Sequence, residues 1–239
     1  MSWWFDQSAV RQVEKLRDTF NVSTYVESGT FRGVNLLFWS YRFKNVIGIE
    51  KAEKYFQITK ERLEGRPSVH FYRGDSANYF MTFKQIYNLL HPTMFAIIIY
   101  LDAHFYETGA TTQHERWVVL RELDALSGFK NCILVIHDMA GFEEGLYGLT
   151  YDGEPLTFNL LKDSLLRVNP DFHFYRNTRE FCQPHTKESI VGVEGIFPDE
   201  DTLETISYHR TDRLQHRGTL YCTPKALDLS HFQLVKLEE

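Results

Sequence analysis

The chain has 239 residues, 43% of them hydrophobic and 24% charged, which suits one sizeable globular domain and excludes a disordered chain. Its formal net charge of −6 at pH 7 disfavours broad nucleic-acid binding, which needs cationic side chains to neutralise phosphates. No apolar run reaches membrane-spanning length, and the first residues do not have the pattern of a signal peptide. The three cysteines, Cys132, Cys182 and Cys222, form no CxxC pair, so we expect a reduced, cytoplasmic protein.

The predicted elements of the first half alternate between amphipathic helices and short apolar strands. They are a helix at 6–20, a strand at 23–27, a helix at 31–43, a strand ending at Glu50, a helix at 52–63, a strand ending at Asp75 and a helix at 77–90. Apolar residues at helical spacing indicate the helices, and a Gly-Arg-Pro run at 65–67 marks the end of one of them. Such alternation predicts βαβ units around a parallel sheet.

The second half begins with an almost continuously apolar run at 95–101, as expected of a central parallel strand buried on both faces. A helix at 113–127, a strand at 131–136, a helix at 155–168 and strands at 172–175 and 219–222 follow. The last two strands have no helix between them, so we expect an antiparallel pair at one edge. We treat residues 1–239 as a single domain, with a helix within residues 1–20 ahead of the sheet and the polar segment 178–217 as an insertion before the last strand.

A carboxylate follows or ends each of the first five apolar runs. The five residues are Glu27, Glu50, Asp75, Asp102 and Asp138. In an open α/β sheet, ligands bind just outside the carboxyl ends of the strands. The sequence therefore predicts that one edge of one sheet is the working edge.

The first strand leads into a glycine-containing turn, ESGTFRG at 27–33. Gly29 can bring backbone close to a ligand or adopt positive φ, and Gly33 permits close packing of a helix on a strand. A tight turn without a ligand is the alternative. The spacing is not the GxGxxG of dinucleotide binders, which disfavours a nicotinamide cofactor.

The acids after the second and third strands each have two readings. Glu50 can accept hydrogen bonds from a ribose diol, or it can serve as an N-cap of the following helix. Asp75 and Ser76 can bind an adenine amino group, or they can cap the next helix.

These motifs together resemble a class I S-adenosylmethionine-dependent methyltransferase of the small VExGTxxG … GDS … LDAH type. The resemblance covers roughly residues 20–140 and implies an α/β fold: a Rossmann-like seven-strand sheet, mostly parallel with an antiparallel last strand, and helices on both faces. It implies Glu27, Gly29 and Gly33 at the methionine part of the cofactor, Glu50 at the ribose, and Asp75 with Ser76 at the adenine. The full cofactor-binding set it implies is Glu27, Gly29, Thr30, Gly33, Glu50, Asp75, Ser76 and Asp102.

Two further motifs, Asp102-Ala103-His104 and His137-Asp138, are the candidates for catalysis. Asp102, His104 and Asp138 form the predicted catalytic set, with Asp102 or His104 taking a proton from a hydroxyl. The sequence is also similar here to metal-dependent O-methyltransferases, which implies Mg²⁺ bound by Asp102 and Asp138. It departs from that pattern at Met139. We expect His137 to orient Asp138 or to pack.

The predicted function is methyl transfer from S-adenosylmethionine to an oxygen of a small polar molecule, a sugar being one candidate. A non-catalytic binding module and a nicotinamide-dependent oxidoreductase are the alternatives. The basic cluster at 208–217 is interpreted as a solvated loop, with an anion clamp as the other reading. We expect a small-molecule partner and neither a membrane nor a nucleic acid. The sequence predicts no oligomeric state.

Overall fold

The computed structural model describes residues 6–90, 97–103, 112–143, 146–178, 216–225, 227 and 229–237. Its helices are α1 Gln7–Phe20, α2 Val34–Ser40, α3 Glu53–Arg62, α4 Ser76–Leu90, α5 Gln113–Arg116, α6 Val118–Ala125 and α7 Phe158–Val168. Its strands are β1 Thr24–Ser28, β2 Asn45–Glu50, β3 Val69–Arg73, β4 Ile97–Leu101, β5 Ile133–Ile136, β6 Leu146–Tyr147, β7 Thr150–Tyr151, β8 Glu154–Pro155, β9 Phe172–Arg176, β10 His216–Arg217, β11 Leu220–Pro224 and β12 Val235–Lys236. None of these helices is both long and apolar enough to cross a membrane.

Eight strands form one sheet in the order β12-β9-β11-β5-β4-β1-β2-β3. Strands β1 to β5 pair in parallel, whereas β11 runs antiparallel to both β5 and β9. The predicted Rossmann-like architecture and the antiparallel edge pair are therefore confirmed. The structure adds an eighth strand, because the two residues of β12 pair antiparallel with β9 beyond the seven that we expected.

The sheet is buried on both faces by two apolar layers. All five residues of β4 are buried, and they alternate between the layers: Ile97 and Ile99 join one, and Ile98 and Tyr100 join the other. Residues of α4, α6 and α7 pack in the first layer, and residues of α1 and α2 pack in the second. This alternation follows from the two-residue period of a strand and confirms helices on both faces.

Three helix predictions were wrong in their bounds. The helix expected at 31–43 spans only Val34–Ser40. The helix expected at 113–127 is interrupted at Trp117, whose backbone is extended and whose buried ring contacts Tyr151 with centroids 4.8 Å apart. Burial of that large ring overrides helical continuity at one residue. The helix expected from Pro155 begins at Phe158 instead, because Thr157 caps it and accepts a hydrogen bond from the Leu160 N–H.

The order of the strands creates a crevice between β1 and β4. These two strands are parallel neighbours in the sheet. Strands β2 and β3 follow on the β1 side, whereas β5 follows on the β4 side, so the direction in which strands are added reverses between β1 and β4. Such a reversal of strand order leaves room above the carboxyl ends of the two strands, where open α/β sheets bind ligands. The crevice is therefore the candidate ligand-binding position in this sheet.

Candidate active site

Gly29 lies at this crevice, directly after β1, with φ of +71°. A Cβ atom added there would lie 2.7 Å from the carbonyl oxygen of Asp102 and 2.8 Å from Cα of Ala103. The Gly29 N–H donates to the Ile49 carbonyl at 2.9 Å. Glycine is thus required both by the backbone conformation and by the close approach of the turn to the end of β4.

Gly33 has the same φ of +71°, but its contact differs from the one predicted. A Cβ atom there would clash with Cγ2 of Thr59, a residue of α3, so the glycine brings the turn against a helix rather than a strand. The Thr59 hydroxyl donates to the carbonyl of Phe31 at 2.8 Å. The β1–α2 turn is therefore fixed from two sides, by the end of β4 and by α3.

Glu50 is buried and holds the same turn in place. One carboxylate oxygen accepts from the Phe31 N–H and the other from the Ala52 N–H, both at 2.8 Å. Burial raises the pKa of Glu50, and these backbone hydrogen bonds oppose the shift. These contacts precede α3, whose N-cap residue is Ala52 without a side-chain cap, so Glu50 does not have the N-cap role, while contact with a ribose stays a prediction.

Glu27 is a buried carboxyl whose pKa is raised. Its side chain is buried, and Oε1 accepts a hydrogen bond from Nδ2 of Asn35 at 3.1 Å. Burial raises the pKa of Glu27 to about 8, the Asn35 hydrogen bond opposes this, and the charge of Asp102 adds to it. The Oε2 atom has no hydrogen-bond partner among the described residues, and neither do the buried hydroxyls of Ser28 and Thr30. The first turn therefore presents polar atoms that need partners.

Asp75 and Ser76 occupy the start of α4. Asp75 accepts from the Ala77 N–H at 3.1 Å, as the capping alternative predicted, and Ser76 is the buried first residue of the helix. The second oxygen of Asp75 pairs with Arg121 of α6 at 3.0 Å. No local sequence pattern indicates this ion pair, because Asp75 directly precedes α4 and Arg121 lies in α6, 46 residues later.

His137 is the centre of a buried cluster of charges that sequence reasoning missed. His137 directly follows β5 and lies 3.3 Å from Oδ1 of Asp138, so the expectation that it contacts Asp138 is confirmed. Its Nδ1 lies 3.2 Å from Oδ1 of Asp102, and its Nε2 lies 3.0 Å from Oδ2 of Asp6. Burial lowers the pKa of His137, but the charges of Asp138 and Asp102 and the hydrogen bonds of Asp102 and Asp6 outweigh it, so the pKa lies well above its ordinary value.

Asp138 forms a buried ion pair with Arg217, in which Nη1 contacts Oδ1. Its φ is +60°, a left-handed conformation that is uncommon outside glycine. The backbone next to it is fixed on both sides, since the Leu149 N–H donates to the Asp138 carbonyl and the Met139 N–H donates to the Gly218 carbonyl, both at 2.8 Å. This fixed backbone and the ion pair define where the carboxylate lies.

The predicted residues fall into three groups. Glu27 lies in β1, one residue before its end, whereas Asp102 and Asp138 follow the neighbouring strands β4 and β5 and both contact His137. Glu50 and Asp75 are held by local backbone contacts. His104 and residues 208–215 of the basic cluster lie outside the described residues. The interpretation of that cluster as solvated was wrong for Arg217, whose side chain is only 13% exposed and pairs with Asp138. Asp6 was missed because its only sequence signal was that of a helix cap.

No protein-family model and no curated protein sequence matches this chain. Among solved structures, an amino pentose methyltransferase from Micromonospora echinaspora is 19% identical, with 57% of this chain and 50% of that chain covered and a TM-score of 0.36. The plantazolicin methyltransferase BamL is 15% identical over 92% of this chain and 86% of its own, with a TM-score of 0.45. An O-methyltransferase from Bacillus cereus is 12% identical over 94% of this chain and 83% of its own, with a TM-score of 0.49. The fold assignment rests on the strand order given above.

Proposed function

We propose that this protein binds S-adenosylmethionine in the β1–β4 crevice and transfers its methyl group to an oxygen of a small polar molecule. The observation that carries the proposal is the convergence of strand-end carboxyls on the crevice where the strand order reverses. Gly29 directly after β1, Glu50 at the end of β2, Asp75 after β3 and Asp102 after β4 lie at the carboxyl ends of these strands, which supports the resemblance to class I methyltransferases.

The polar atoms of the first turn are compatible with this cofactor. Oε2 of Glu27 and the hydroxyls of Ser28 and Thr30 are buried without hydrogen-bond partners among the described residues. Buried polar atoms are normally satisfied, so their lack of partners favours a polar ligand above them. The amino and carboxylate groups at the methionine end of S-adenosylmethionine would supply such partners.

The remaining cofactor contacts are assigned by position. Glu50 would accept hydrogen bonds from the ribose hydroxyls with the lone pairs that its two backbone contacts leave over. Asp75 and Ser76 would lie near the adenine, with Arg121 fixing the orientation of the carboxylate. When bound, the cofactor supplies a methyl group on a sulfonium, which needs an aligned nucleophile more than it needs acid–base chemistry.

Asp102 is the proposed proton acceptor for the substrate hydroxyl. It follows β4 at the edge of the crevice, and His137 holds one of its oxygens at 3.2 Å. A carboxylate in hydrogen-bond reach of a hydroxyl can take its proton as the oxygen attacks the methyl group. A sugar is one candidate acceptor, because its hydroxyls can be aligned by several hydrogen bonds at once.

Calorimetry tests the proposal against its alternatives. The full chain is titrated with S-adenosylhomocysteine and, separately, with NADH; we expect saturable binding of the first and none of the second. Absence of S-adenosylhomocysteine binding would contradict the proposal, and binding of NADH alone would favour an oxidoreductase. If the cofactor binds but mass spectrometry finds no methylated product across a panel of sugars and phenols, the binding-module alternative is favoured.

A further inference from the structure

The carboxylates of Asp102 and Asp138 have the spacing of a metal centre. Together with His137, each offers a ligand atom, and these atoms all lie within 4.8 Å of one another. The resemblance to metal-dependent O-methyltransferases implies Mg²⁺ at these two carboxylates. The contacts of the cluster argue that a metal does not fit there.

His137 cannot act as a metal ligand in this arrangement. Both ring nitrogens face carboxylate oxygens, at 3.2 Å from Asp102 and 3.0 Å from Asp6. Each ring nitrogen therefore already has a carboxylate partner within hydrogen-bond distance, and a metal could bind the ring only by displacing one of them. The Nδ1 atom also lies 3.3 Å from Oδ1 of Asp138, so the ring bridges the two carboxylates from the position that a cation would take.

Arg217 supplies a second cation to the same pair. Its guanidinium contacts Oδ1 of Asp138, and the side chains of both residues are largely buried. Because an arginine side chain stays protonated in proteins, this charge is permanent. Three carboxylates, Asp6, Asp102 and Asp138, thus face two cationic side chains, and a divalent ion would have to enter against both cations.

We infer that His137 and Arg217 take the place of a metal ion, holding Asp102 and Asp138 in a metal-free site. The exposed fractions of the side chains indicate which residue of the cluster can contact a substrate. The Asp102 side chain is 21% exposed, whereas those of Asp138 and His137 are 3% and 2% exposed. Asp102 therefore faces the reactants, and Asp138, His137 and Arg217 are positioning residues. The sequence-based expectation that Asp138 is catalytic is replaced by this role.

Electron paramagnetic resonance of Mn²⁺, a close mimic of Mg²⁺, tests the inference without cofactor or acceptor. The full-length wild type is expected to take up no Mn²⁺ at millimolar concentrations. Arg217→Gln removes the permanent cation, so we expect Mn²⁺ affinity at least about tenfold higher than that of the wild type. Arg217→Lys keeps the charge and is expected to behave as the wild type. Adding Asp138→Asn to Arg217→Gln should abolish the gain.

Two results would overturn the inference. One is Mn²⁺ binding by the wild type that Asp102→Asn removes, which would identify an ordinary metal centre. The other is a folded Arg217→Gln variant, verified by circular dichroism, that gains no affinity. If Arg217→Gln does not fold, the Mn²⁺ titrations of the wild type and of Asp102→Asn still show whether the wild-type site binds a metal ion. Neither result depends on S-adenosylmethionine, so failure of this inference and failure of the proposed function are separate findings.

Discussion

Replacing Gly29 by alanine is predicted to destabilise the protein through two separable effects. The left-handed φ of +71° costs about 1–2 kcal/mol for a residue with a Cβ atom. The new methyl group would also meet Asp102 and Ala103 backbone atoms at 2.7–2.9 Å, where nothing flexible can move aside. Overpacking of this kind costs about 1–3 kcal/mol, so the sum is about 2–5 kcal/mol.

Gly65→Ala is the matched control for this prediction. Gly65 has φ of +76°, but a Cβ atom there meets nothing within 4 Å. Both substitutions change the unfolded chain in the same way, so the difference between them isolates the contact of the turn with the end of β4. Urea denaturation should show Gly29→Ala to be less stable than Gly65→Ala by about 1–3 kcal/mol. Equal free energies of unfolding for the two variants would refute the close approach and, with it, the geometry of the crevice.

Two further substitutions test the buried charges. Folding raises the pKa of Glu27 from 4.5 to about 8, so the folded protein keeps a proton that the unfolded chain releases, and stability falls as the pH rises across this interval. Urea titrations at several pH values should show a shallower fall for Glu27→Gln; an unchanged profile would contradict the raised pKa of Glu27. Asp6→Ala removes both the N-cap of α1 and a carboxylate partner of buried His137, whereas Thr157→Ala removes only the cap of α7. The Thr157 variant should lose about 1 kcal/mol and the Asp6 variant at least about 2 kcal/mol more, and equal losses would count against the contact between Asp6 and His137.

Sequence periodicity predicted the main elements of the sheet because they bury many residues. The five-residue β4 is apolar throughout and buried throughout, so its identity was plain from the chain. The two-residue β12 has no period to detect, and its pairing with β9 depends on tertiary contacts. The interruption at Trp117 has the same origin, since helical spacing around it is good and only its packing against Tyr151 reveals the break.

The site was predictable to the extent that it follows strand ends. Glu27, Glu50 and Asp102 were found because parallel strands bring their carboxyl ends to one edge. Their partners were not, because the partners come from far along the chain: Asp6 and His137 are 131 residues apart, and Asp138 and Arg217 are 79. No local pattern marks a side chain that completes a distant ion pair. The expectation of a metal ion has the same cause, because the sequence does not show that Arg217 pairs with Asp138.

The most direct test of the central claim is a calorimetric titration of S-adenosylhomocysteine against two matched variants. Glu50→Gln removes the charge proposed to hold the ribose, and Glu64→Gln makes the same change at an exposed position of the chain. A hydrogen bond to a charged group contributes about 1.5–3 kcal/mol, so Glu50→Gln should weaken binding about 10- to 100-fold. Because the amide of Gln can accept only one of the two backbone hydrogen bonds, circular dichroism and urea denaturation verify that the variant is folded. The Glu64 variant should bind as the wild type does. Equal affinity of all three proteins would contradict the assignment of the ribose to Glu50, and no binding by the wild type would contradict the account as a whole.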